Sequence, residues 1–68
     1  MSRDLTERDK EILGEYIDAG SVAAAARRLK CHPQTVKSHL ANMRQRTNSV
    51  STVQLVYRLA TGEFDGDL

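Results

Sequence analysis

An all-α domain of four helices is what the sequence predicts, and three observations carry the prediction. Apolar residues recur at helical spacing in four runs, residues that favour helix starts open those runs, and residues that favour helix stops close them. The four runs account for nearly the whole chain, with no repeat, low-complexity tract or linker-like segment between them.

The first helix is expected over Glu7 to Ala19. Thr6, with Asp9 three residues on, has the pattern of a capping box; Ile12, Leu13, Tyr16 and Ile17 form one apolar stripe, and Gly20 ends the run. Ser21 caps a second helix, Val22 to Lys30, whose small apolar face is Ala25, Ala26 and Leu29. Pro33 opens the third, which carries Val36, Leu40 and Met43 and runs to about Thr47, where Asn48 can take the left-handed stop conformation. Ser51 caps the fourth, which bears Val53, Leu55, Val56, Tyr57, Leu59 and Ala60 before Gly62. That is more apolar surface than one contact with a core requires. The acidic tail Glu63 to Leu68 is expected to be disordered, so the chain divides into a folded domain, residues 1–62, and a tail, residues 63–68.

The second and third runs meet at the spacing of a helix-turn-helix. Small residues on the second helix allow close approach, and Ala26 and Val36, ten apart, let that helix lie across the third. The opposite face of the third helix is then free to enter a groove.

Composition removes several classes of function. A chain of 68 residues makes one domain that buries only about 60% of its unfolded surface, so its core is small and a partner can matter for stability. A single cysteine rules out an internal disulfide. With no apolar run near the ~20 residues of a membrane span and no signal-peptide pattern, a cytoplasmic protein is expected. Cys31 and His32 are adjacent, which cannot supply spaced metal-ligand pairs, and His39 does not complete a site; neither metal nor cofactor is expected. Nor does the chain offer a nucleophile with a base, or a glycine-rich phosphate loop, which argues against an enzyme.

The net charge of +1 hides a segregation of signs. From Ala19 to Gly62 there are basic residues at Arg27, Arg28, Lys30, Lys37, Arg44, Arg46 and Arg58, and no Asp or Glu. An acid-free basic block on a helical hairpin is the footprint expected of a phosphate-binding face. The plainer reading is a solvated surface, but such surfaces normally interleave Glu with Lys at i,i+4.

Two runs carry a resemblance to a known family. Leu5 to Leu13 reads LTERDKEIL, against the opening pattern L-T-x-R-E-x-E-[VI]-L, with Asp9 in place of Glu; His32 to Leu40 reads HPQTVKSHL, against S-P-x-T-V-K-x-H-[LI]. In that order, followed by a fourth amphipathic helix entered at Gln54, they resemble the LuxR/NarL/GerE-type helix-turn-helix domain of bacterial transcription regulators over roughly Leu5 to Ala60. The second helix departs from the family's G-[LY]-[ST]-x-x-E-I-A, being one residue shorter and lacking the glutamate. Lys30-Cys31-His32 and Thr47-Asn48-Ser49 likewise replace the usual turn and helix ending. No receiver or ligand-binding domain precedes the motif, so the chain looks like a stand-alone member of bacterial or phage origin, similar to GerE, and its Met1 and complete fourth helix suggest a whole gene product.

The resemblance implies a sequence-specific regulator that binds double-stranded DNA as a homodimer, with the third helix as recognition helix and the fourth as dimerisation helix. Helical spacing points Val36, Leu40, Met43 and Thr47 to the core and Gln34, Lys37, Ser38, Ala41 and Gln45 away from it. That second set is the expected base-reading face. Lys37, the family's T-V-K lysine, can donate to a guanine edge, Gln34 and Gln45 can pair with adenine, and Ser38 or Ala41 can meet a thymine methyl. Thr35, with the free amides at the helix start, and His39, Arg44 and Arg46 are expected on phosphates, although Thr35 also suits simple capping, His39 a buried structural role and the arginines the helix dipole. Cys31 suits a small turn or core position. Leu55 and Leu59 suit the core, which leaves Val53, Tyr57 and Ala60 for a dimer interface. The alternative is a protein-interaction module that docks on RNA polymerase or another regulator through the fourth helix or the basic face.

Overall fold

The start of the first helix is fixed by two reciprocal hydrogen bonds. In a computed structural model of the chain, which describes residues 5–63, the Thr6 hydroxyl oxygen accepts from the Asp9 amide and the Asp9 carboxylate accepts from the Thr6 amide, both at 3.0 Å. This capping box opens α1 (Glu7–Ala19), and Gly20, at φ 90°, closes it. Ser21 caps α2 (Val22–Leu29), accepting from the Ala24 amide at 3.1 Å. Lys30, expected inside that helix, lies just past its end at φ 58°: the Cys31 amide donates to Ala26 O at 2.9 Å, which closes a Schellman turn without glycine. α3 (Pro33–Thr47) ends the same way, with Asn48 at φ 59° and the Ser49 amide donating to Arg44 O at 2.8 Å. Ser51 caps α4 (Thr52–Ala60) by accepting from the Gln54 amide, and the Gln54 side chain reaches back to the Val50 amide at 2.7 Å.

α1 packs chiefly on α2, α2 on α3, and α3 on α4. Ala25 and Ala26 are buried between helices, where their small side chains permit the close crossing of α2 over α3. Around them Ile12, Leu13, Val36, Met43 and Leu55 are fully buried, each contributing about 1.5–3 kcal/mol by leaving water. Leu5 and Leu40 complete the core, with Tyr16, Leu29, Cys31, Val56 and Leu59 packed against it. Ile17 does not join the α1 stripe as expected; it stands 46% exposed, at the edge of that stripe and in the last turn of the helix.

A polar clasp joins α3 to α4. The buried Thr47 hydroxyl donates to Met43 O at 2.7 Å and shares a 2.8 Å hydrogen bond with Ser49. From α4 the Arg58 guanidinium donates to Thr47 O at 2.6 Å and to the Ser49 hydroxyl at 2.7 Å, supplying a donor to the carbonyl of the last residue of α3. Glu63, the first residue of the expected tail, lies in the turn after α4 and accepts from Arg58 at 2.6 and 2.9 Å; residues 64–68 fall outside the described part of the chain. Among the described residues no helix is long and apolar enough to cross a membrane.

Candidate nucleic-acid interface

α3 divides as its periodicity requires. Val36, Leu40, Met43 and Thr47 are buried, and Gln34, Lys37, Ser38, Ala41 and Gln45 are all exposed on the other side. None of these five side chains is held by a hydrogen bond or ion pair among the described residues. The exposed ridge is flanked by two open depressions that share Gln34 and Ser38. One runs along Lys37, Ala41 and Arg44 towards Tyr16, Val22 and Thr52; the other contains Thr35, His39 and Asn42. Pro33 at the first helical position locks its own φ in a helical value and so favours the start of the helix there.

The helix start differs from expectation. His32, a residue not anticipated in this role, is the N-cap of α3: its Nδ1 accepts from the Gln34 amide at 3.1 Å. The Thr35 and Val36 amides both donate to His32 O, and Pro33 has no N–H to offer. The amides expected to be free for a phosphate are therefore engaged, while the Thr35 side chain is exposed beside them. Thr35 is not the cap.

The flanking cations have separate environments. Arg44 is half-buried and donates to the Thr52 hydroxyl at 2.8 Å, beside the start of α4. His39 is half-buried at the rim of its depression, between the core and the exposed ridge. Arg46 turns away from the ridge: its Nε donates to the Asn42 side chain at 2.7 Å and its Nη2 to the Asp9 carboxylate. Asp9 is buried, which alone would push its pKa up, but the Arg46 guanidinium and the Thr6 amide and hydroxyl together hold it below the ordinary aspartate value.

The acid-free block does not survive folding as a block. Arg28 bonds Asp18 at 2.7 Å and Glu15 at 3.3 Å on α1, Arg46 bonds Asp9, and Arg58 bonds Glu63. Arg27, Lys30, Lys37 and Arg44 carry no ion pair among the described residues. Asp9 is the participant that sequence reasoning passed over as a partner for α3. Its signal was present: it falls on the same helical face as Ile12, Leu13 and Tyr16, where a carboxylate needs a cation from elsewhere in the fold. Val53 and Tyr57 of the expected pairing face are 79% and 67% exposed, and Ala60 is exposed one turn on. Among the described residues no group of three or more His, Cys, Asp or Glu is placed to hold a metal ion.

Comparison with curated proteins gives no match, and comparison with solved structures gives none. The family described as GerE, bacterial regulatory proteins of the luxR family, matches residues 3–59, which spans both quoted sequence runs and α1 through nearly all of α4. With that match over most of its length and four helices in the order the fold requires, the chain belongs to the luxR family of bacterial regulatory proteins and is a helix-turn-helix DNA-binding transcription regulator.

Proposed function

We propose that the chain binds specific sites on duplex DNA as a homodimer, with each α3 in the major groove of one half-site. The observation that carries this reading is the α3 ridge, whose outward side chains are exposed and uncommitted while its other face is fixed in the core. The ridge from Gln34 to Gln45 runs roughly 16 Å along the helix, and a helix about 10–12 Å across with its side chains fits a major groove ~12 Å wide. Lys37, one turn into the helix, is the principal base-reading residue, donating to a guanine edge; Gln34 and Gln45 read adenine, and Ser38 and Ala41 approach a thymine methyl. The Thr35 hydroxyl, His39 and Arg44 take phosphates on either flank. Two copies pair through Val53, Tyr57 and Ala60, which stand at i, i+4 and i+7 on one face of α4. Such an interface is at the small end of specific contacts, so pairing is completed on DNA. The site of action is the cytoplasm.

The test is affinity for a duplex over a salt series. Among the described residues Arg27, Lys30, Lys37 and Arg44 carry no ion pair, and these four are expected to give a log–log slope of about 3 to 4 per protomer. A flat slope, or no binding to any genomic fragment at low salt, contradicts the reading. A second reading, docking on RNA polymerase or another regulator, is favoured by the number of exposed large apolar side chains in and just before α4, with Val50 85% exposed ahead of the helix and Val53 and Tyr57 exposed on it.

A further inference from the structure

We infer that Arg46 is a positioning residue for DNA reading and not a phosphate clamp: Asp9 and Asn42 hold it, and through it the cap of α1 fixes where the outer half of α3 lies. Four polar groups form one connected tie. The Thr6 amide donates to Asp9 Oδ2 at 3.0 Å, Arg46 Nη2 donates to the same oxygen, and Arg46 Nε donates to Asn42 Oδ1 at 2.7 Å. It spans a separation of 37 residues and joins α1 to α3 directly, where α1 otherwise packs chiefly on α2. Asn42 lies on α3 beside Ala41 of the reading ridge and lines the depression that holds His39 and Ser38. The orientation of that turn is therefore set from α1.

Burial decides against a phosphate role. The Asp9 side chain is only 9% exposed and that of Arg46 is 30% exposed. For Arg46 to move to a DNA phosphate it must abandon a nearly buried carboxylate, which strands an unpaired charge. If it stays, the adjacent carboxylate cancels the charge that would displace counterions. Geometry makes the arginine specific as well, since its planar fork bonds Asn42 and Asp9 from two different nitrogens, which a lysine ammonium cannot reproduce.

This inference rests on duplex reading through α3, so the test begins with a duplex enriched on the wild-type protein from a randomised pool. Affinities for that duplex and for a scrambled one are then measured over a salt series for the wild type, Arg46→Lys, Arg46→Gln, Asp9→Asn and the double variant Asp9→Asn/Arg46→Lys. Arg46→Lys keeps the charge but loses the fork. It is expected to weaken the enriched duplex about tenfold while the scrambled duplex and its salt slope stay unchanged. Asp9→Asn should lower the enriched-to-scrambled ratio likewise, and the double variant should do no more damage than either single change. A phosphate clamp behaves differently: Arg46→Lys binds as the wild type does, Arg46→Gln weakens both duplexes alike with the slope reduced by about one, and Asp9→Asn leaves the ratio intact. Equal weakening of both duplexes in step with the folded fraction would mean a purely structural pair and overturns the inference too. If Arg46→Lys does not fold at the assay temperature, the ratio for Asp9→Asn decides. If the wild type enriches no duplex, the DNA reading itself fails, and the thermal stabilities of the two single variants and the double still test the tie, which additive losses would refute.

Discussion

Lys30 holds φ 58°, a left-handed conformation in which an L-residue with a side chain is strained by about 1–2 kcal/mol. Glycine removes that strain but gives back part of the gain as chain entropy, so Lys30→Gly is expected to stabilise the domain by about 0.5–1 kcal/mol, read as a higher urea midpoint at unchanged slope. Asp9 makes the opposite kind of contribution, and its sign follows from titration. Its folded pKa lies below the unfolded value of about 3.9, so its stabilisation is complete above that pH and is lost as pH falls through the lowered folded value. Asp9→Asn should therefore cost about 1–3 kcal/mol at pH 7, and the gap to wild type should close on acidification below pH ~4. A gap of equal size at both pH values in urea melts would show that the charge is not its source. Single residues were legible in the sequence where their partners are near in the chain. Thr6 with Asp9, Ser21, Asn48 and Ser51 all cap as their types and spacings require. The ties from Arg46 to Asp9, from Arg28 to Asp18 and from Arg58 to Thr47 were not, because they depend on how helices cross rather than on spacing within one helix.

At the scale of elements, the helix boundaries were legible because the breaks are chemically marked by Gly20-Ser21, Pro33 and Asn48 to Ser51. The one-residue overrun of α2 onto Lys30 arose because nothing in a lysine announces a left-handed stop. Ile17 misled for a different reason: apolar spacing marks a face but not how far along the helix that face is covered, and Ile17, in the last turn of α1, stays exposed. α4 is the element with surplus apolar surface, since Leu55 is fully buried while Val53 and Tyr57 face outward. A charge placed on that outer face leaves the fold intact and opposes burial against a second copy. Tyr57→Glu is thus expected to keep helicity and melting temperature near wild type and to abolish cooperative occupancy of two half-sites in footprinting. An unchanged two-half-site footprint counts against pairing through α4.

For the whole molecule, the fold redistributes the charge that the sequence displays in linear order. Acids of α1 pair with Arg28 and Arg46, Glu63 pairs with Arg58, and among the described residues Arg27, Lys30, Lys37 and Arg44 are left without an ion pair. The exposed face of α3 was legible in advance because it needs only the helical period, whereas which of the described cations lack an ion pair required the complete three-dimensional pairing. A domain of this size has few buried large side chains, so the ties between its helices carry a larger share of the orientation of α3 than they would in a bigger protein. The central claim is that the exposed ridge of α3 reads base edges, with Lys37 foremost. It is tested most directly by selecting a randomised duplex pool on the wild type and on Lys37→Ala and sequencing the survivors. The expected result is a defined motif for the wild type and the same motif relaxed at one position for Lys37→Ala, with specific affinity lower by about 1–3 kcal/mol and scrambled-duplex affinity changed far less. An identical motif at undiminished information from both proteins, or no enrichment from either, would contradict it.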